Sequence, residues 1–195
     1  MKIAIGISRI FIVIATAGLI TAPATSHAAK LTESNMSIFL GQKKLDNQDW
    51  DPVDGHTEWG FIADLGRKDS VVNLVASFVM SEDNATRNGS DFTGETWELG
   101  LGLRKVFRRA PDIAPYVEAG VAFMDATLEQ QSSSSSGSRS DNAFGVWAGA
   151  GAHFAVGERL TVGVNARYTS ASATLLGQER EVGGIHFGVT AGIGF

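Results

Sequence analysis

Three features of the sequence predict an all-β fold, an eight-stranded antiparallel up-and-down transmembrane β-barrel. Apolar residues recur at every second position in eight separate segments, the period of a strand whose two faces meet different surroundings. The opposite face is made largely of glycine and charged residues, which cannot build a soluble core. The joints between segments alternate between short and long, the asymmetry of a barrel held in a membrane. Bulk composition hides all of this. The chain has 16 bases and 21 acids for a net charge of −5, 44% hydrophobic residues, 23 glycines and no cysteine. Its mean hydropathy of +0.03 is that of an ordinary soluble domain. The missing cysteine excludes a disulfide framework, a thiolate metal site and a cysteine nucleophile. The acidic balance, without any basic run, argues against a nucleic-acid partner.

The N-terminus is read as an address. Lys2 and Arg9 precede an apolar run at 10–20, followed by Pro23 and small residues ending at Ala28. This is the pattern of a secretory signal peptide, and the run is well short of the roughly 20 residues of a spanning helix. Residues 1–28 are therefore expected to be removed, leaving 29–195 as one barrel domain. Export of a cysteine-free chain fits a bacterial envelope protein.

The strands follow in order. The first has Met36, Ile38 and Leu40 against Ser37, Phe39 and Gly41. The second has Trp59, Phe61, Ala63 and Leu65 against Glu58, Gly60, Ile62 and Asp64. The third alternates Val72, Leu74, Ala76, Phe78 and Met80 with Asn73, Val75, Ser77 and Val79. In the fourth, at 97–103, every second residue is large and apolar, opposite Glu98, Gly100, Gly102 and Arg104. The fifth sets Val117, Ala119, Val121 and Phe123 against Glu118, Gly120 and Ala122. The sixth runs from Phe144 to Phe154, with Gly145, Trp147, Gly149, Gly151 and His153 on its other face. The seventh has Leu160, Val162, Val164, Ala166 and Tyr168 against Thr161, Gly163, Asn165 and Arg167. The eighth closes the chain with Ile185, Phe187, Val189, Ala191, Ile193 and Phe195 on one face. Short joints fall at 66–69, 108–114 and 156–158, and long polar loops at 46–56, 82–93, 127–141 and 170–182.

A soluble barrel places large side chains inside and polar ones outside. Here the apolar face is suited to lipid, and a closed barrel leaves no backbone group unpaired in hydrocarbon. Aromatic residues gather at the strand ends, with Trp59, Trp97, Phe123, Phe144 and Tyr168 towards the long loops and Phe107, Phe154 and Phe195 towards the turns. Such girdles mark both interfaces of a membrane barrel.

On these features the chain resembles the eight-stranded outer-membrane barrels of OmpA/OmpX type, over the whole of 29–195. The closing strand is the most specific element. The resemblance implies that Phe187, Val189, Ala191, Ile193 and Phe195 form the signal read by the barrel-assembly machinery, after escort by periplasmic chaperones. It implies residence in the outer membrane of a Gram-negative bacterium, contact with outer-membrane lipid and lipopolysaccharide, and a monomeric state. No wall-binding domain is recognised, so anchoring to peptidoglycan is not expected.

The inner face receives Glu58, Asp64, Glu98, Arg104, Glu118, His153, Asn165, Arg167 and His186, together with Trp147. Glu58, Glu98, Arg167 and His186 fall nearer the long loops; Asp64, Arg104, Glu118 and His153 fall nearer the turns. Eight strands enclose only enough room for side chains, so these charges are expected to pair and plug the bore. Facing glycines leave space for the long side chains to cross it. The expected function is a structural or surface-interaction role through the exposed loops; the alternative is a narrow porin-like channel for ions or small solutes. Lipid A-modifying enzymes also exist on such barrels, but a deacylase of that kind needs a His two residues before a Ser. His153 and His186 lack that pattern. His56, Ser81 and Asp83 near the loops are weak evidence for an acyltransferase, and no catalytic residue, cofactor or metal site is expected. Asp46, Asp49, Asp51 and Asp54 do not match a calcium-loop spacing and read as a solvated acidic loop.

Overall fold

A computed structural model of the chain describes residues 34–67, 70, 72–107, 112–132, 135–175 and 178–195. The expected signal peptide lies outside the described residues, as do parts of the short joints at 66–69 and 108–114. The elements are β1 (Asn35–Lys44), α1 (Asn47–Trp50), β2 (Gly55–Leu65), β3 (Asn73–Arg87), β4 (Ser90–Val106), β5 (Ile113–Ser132), β6 (Ser135–Val156), β7 (Leu160–Leu175), β8 (Gln178–Glu181) and β9 (Gly184–Gly194). Each strand from β1 to β7 pairs with the next, β7 pairs with β9, and β9 pairs back to β1. All pairings are antiparallel, so eight strands close a barrel and none of them is left as an edge along its middle. Among the described residues the ninth, β8, pairs only with β7, at the top of the long hairpins.

The apolar stripe of each strand lies outside. Met36, Ile38 and Leu40 of β1, Leu99, Leu101 and Leu103 of β4, and Val162, Val164 and Tyr168 of β7 are all exposed. The belt runs from Trp59 to Leu65 on β2 and from Trp97 to Leu103 on β4. At its upper rim Phe123 and Phe144 are cross-strand partners whose rings lie 4.9 Å apart.

The structure corrects the expected long loops. The stretch at 82–93 is strand continued by β3 and β4, turned by Asn88 and Gly89 alone, both at positive φ (52° and 76°). Asparagine followed by glycine tolerates that left-handed backbone and makes the tightest hairpin turn. The stretch at 127–141 is likewise mostly β5 and β6, including residues of the serine tract. At 170–182 β7 runs on to Leu175 and pairs with β8, and 46–56 contains α1 and the start of β2.

Above the girdle the alternation changes sense. On β5, Val121 and Phe123 face out, but the next apolar set, Met124, Ala126 and Leu128, is buried inside. On β7 the outward Val164 and Tyr168 give way to inward Ala171, Ala173 and Leu175. Below the girdle the outside is apolar, so large hydrophobic side chains face out and polar ones face in. Above it the outside is water, and the ordinary inward rule returns. The inward apolar side chains of the hairpins therefore pack together, with Leu45, Trp50, Val53, Phe92, Ala143 and Val182, in a cluster that continues down the bore through Trp147, Val79, Phe39 and Ile62.

Candidate functional site

Two layers of charged side chains reach into the bore. In the layer nearer the hairpins, Glu58 of β2, Glu98 of β4, Arg167 of β7 and His186 of β9 are all buried. His186 Nδ1 lies 2.7 Å from Glu58 Oε1, and Arg167 Nη2 lies 2.8 Å from Glu98 Oε1. His186 Nε2 is 3.7 Å from Glu98 Oε2, beyond hydrogen-bonding distance. Arg167 Nη1 donates to Ser77 Oγ at 3.0 Å, and its guanidinium lies 5.2 Å from the Trp147 ring centroid.

In the lower layer, Arg104 of β4 reaches across the bore. Its Nε and Nη2 donate to Glu118 Oε2 at 2.8 and 2.6 Å, and its Nη1 donates to Asp64 Oδ2 at 3.1 Å. Asn73 Nδ2 donates to the other Asp64 oxygen at 2.7 Å. Asn165 Nδ2 donates to Glu118 Oε1 and to the Tyr116 hydroxyl, both at 2.9 Å. His153 packs its ring 4.9 Å from that of Tyr116, over which Arg104 also lies. A two-armed guanidinium suits this position because one flat cation satisfies carboxylates from two strands.

Glycines open the space these side chains occupy. A Cβ on Gly102 would come within 2.6 Å of Trp147 Cζ2, and one on Gly151 within 2.5 Å of Tyr116 Cζ. At either position the ring and the neighbouring backbone would have to shift.

The nine inner-face residues named from the sequence thus fall into two connected groups. Lys43 was missed. It is buried in the upper layer, donating to Thr96 Oγ1 at 3.0 Å and to the Val182 carbonyl at 3.1 Å. Tyr116 was missed as well. Both sit on the inward parity of their strands, one step beyond the stretch over which the alternation was followed.

Over the upper layer sits a cap. Asp46 accepts from the Gln48 amide at 2.8 Å and starts α1. The helix carries Trp50 into the core, where its Nε1 donates to the Glu181 carbonyl at 2.8 Å. Asp49 accepts from the Glu181 amide at 2.8 Å, and Arg180 donates to the Asp49 carbonyl. Asp51 pairs with Arg87 and Asp54 with Lys44, so the first-loop acids have separate partners. Among the described residues no cluster fit to hold a metal occurs.

Of the weak acyltransferase trio, His56 Nδ1 and Ser81 Oγ are 3.0 Å apart, while His56 Nε2 lies 3.1 Å from the Val53 carbonyl. His56 is above the Trp59 girdle, outside the apolar belt. Burial, aided by the nearby Lys43 charge, lowers its pKa to about 4. Trp50 packs edge-on against it at 5.7 Å. Asp83 stands apart and accepts from the Gly55 amide at 3.3 Å. A neutral imidazole beside a hydroxyl has the elements of a base and nucleophile, but both groups are buried beneath the cap.

The outer surface of the hairpins is acidic. Asp46, Asp51, Glu82, Asp91, Glu95, Glu129 and Glu179 are exposed there and Asp49, Asp54, Asp83, Asp125, Asp141 and Glu181 are half-buried, against exposed Lys44, Arg87 and Arg139 and half-buried Arg180.

Comparison with known proteins agrees with this architecture. The family profile described as outer membrane protein beta-barrel domain matches residues 12–195. Comparison with curated proteins finds no match. Among solved structures the chain is similar to the crystal structure of Ail, the attachment invasion locus protein of Yersinia pestis, at 19% identity and a TM-score of 0.57, covering 84% of this chain and 98% of that one. Ail in complex with the heparin analogue sucrose octasulfate matches with a TM-score of 0.54 at 19% identity, over 84% of this chain and 98% of that chain. Neisserial surface protein A is similar at 12% identity and a TM-score of 0.56, over 83% of this chain and 96% of that one. At such identities the likeness concerns the fold.

Proposed function

This chain belongs to the outer membrane protein β-barrel domain family and resides in the outer membrane of a Gram-negative cell, and from that premise we propose that it is a surface-interaction protein: a plugged, non-enzymatic barrel that holds an acidic set of hairpins outside the cell. The observation that carries this reading is the reversal of hydrophobic sense above the girdle. It gives the hairpins a packed core, so their outer faces form a firm platform in place of four loose loops. Burial of the His56–Ser81 pair beside the cap supports the non-enzymatic part.

Charge decides the kind of partner. The ligand in the Ail complex is a polyanion; the acidic hairpins of this chain repel one and favour a basic partner. Lipopolysaccharide, itself anionic, meets the barrel at the belt through its acyl chains. The closing-strand residues Phe187, Val189, Ala191, Ile193 and Phe195 are exposed, where the assembly machinery could read them during biogenesis.

The test is retention of whole cells displaying the protein on a polylysine surface and on a heparin surface. Cells with the natural chain are expected to be held on polylysine more strongly than cells displaying a variant with Asp91, Glu129 and Glu179 changed to their amides. Added salt should remove the difference. Equal retention of the two strains, or preferential binding to heparin, would overturn the reading.

A further inference from the structure

The outer wall has a groove of about 170 Å³ where the apolar belt meets the acidic surface. Trp59, Met80 and Trp97 line its lower part, and Glu82, Glu95 and Asp125 its upper part. Register brings them together. Met80 and Trp97 are direct cross-strand partners, and the next outward pair above them is Glu82 with Glu95. Trp59 stands opposite Met80 from β2, and Asp125 opposite Trp97 from β5.

Two carboxylates directly opposite on one face of an antiparallel pair repel each other. Among the described residues, none of these three acids forms an ion pair with a Lys or Arg. Asp125 accepts from the Ser140 hydroxyl at 3.0 Å, which leaves its charge uncompensated. Negative charge is thus concentrated over an aromatic floor, at the height where a membrane amphiphile carries its headgroup.

We propose that this groove binds the positively charged head of an amphiphile. An alkylammonium would lay its chain along the belt and seat its nitrogen at the Trp59 and Trp97 indoles, between Glu82, Glu95 and Asp125. Indole faces attract cations, organic ammonium groups above all. A divalent metal instead requires six or more oxygen ligands at close, fixed distances, and these acids do not form a cluster that could hold one.

Dodecylpyridinium is a fitting probe, since its head is a fixed cation that quenches indole fluorescence. Trp50 and Trp147 are buried inside the barrel, so Trp59 and Trp97 are the indoles within its reach on the outer wall. In neutral dodecyl maltoside micelles, quenching of the natural chain is expected at about a tenfold lower mole fraction of probe than quenching of the E82Q/E95Q/D125N variant. Magnesium chloride, at ionic strength matched with sodium chloride, should not displace the probe. A neutral quencher of the same chain length should not distinguish the two proteins. Equal quenching by the cation would overturn the proposal. So would displacement by magnesium, which would mark a metal site, or discrimination by the neutral quencher, which would mark a change of shape. If the triple variant does not fold, E95Q alone carries the test, with an expected shift of about twofold.

Discussion

Replacing Arg104 with methionine is expected to destabilise the folded barrel by about 3–5 kcal/mol. The guanidinium side chain is 1% exposed and holds carboxylates from two different strands, Asp64 on β2 and Glu118 on β5. Methionine keeps much of its length and fills the space, so the loss would not be one of packing. It would come from two carboxylates left in a confined bore, with Asn73 and Asn165 as their remaining donors among the described residues. The triple change R104M/D64N/E118Q tests that cause, because removing all three charges together should recover most of the stability. Urea titration in lipid vesicles, read by the mobility of the unboiled folded form on gels, gives both values. A loss below about 1 kcal/mol for R104M would mean that the layer behaves as a hydrated surface pair.

The second large effect is expected on the opposite face. Leu101 is 50% exposed at the middle of the outward stripe of β4, between Leu99 and Leu103 and beside its partners Ala76 and Val121. In water an arginine there would be harmless. In hydrocarbon it should cost about 2–4 kcal/mol, the value for a charged residue at the midplane of a membrane barrel. Gln131→Arg on β5, at the exposed end of a hairpin, is the control and should stay within about 0.5 kcal/mol. Equal effects at the two positions would mean that the belt does not face lipid.

The belt was the legible part of this sequence. Its alternation is regular because one solvent, hydrocarbon, acts along the whole stripe, and the two charge layers follow from the same parity. The hairpins were not legible because the alternation was followed in a single sense. Above Phe123 the outside is water, so Met124, Ala126 and Leu128 change parity with their surroundings, and a reader tracking the outward stripe meets only polar residues. Those segments then look like loops. A signal for strand was nevertheless present in Asn88-Gly89, the pair that favours a two-residue hairpin turn. Lys43 was missed for a similar reason, since β1 was ended at Gly41, two residues short of the next inward position. The cap had no local signature. Trp50 among acidic residues shows no periodicity, and its burial depends on Glu181, far along the chain.

The filled bore is the central claim, and electrical recording tests it most directly. Purified protein reconstituted in a planar bilayer is expected to show no stable openings, because both charge layers and the Trp50 cap lie across the path. Stable unitary currents that change in size when Arg104 or Arg167 is neutralised would contradict the account and establish a channel through the same residues.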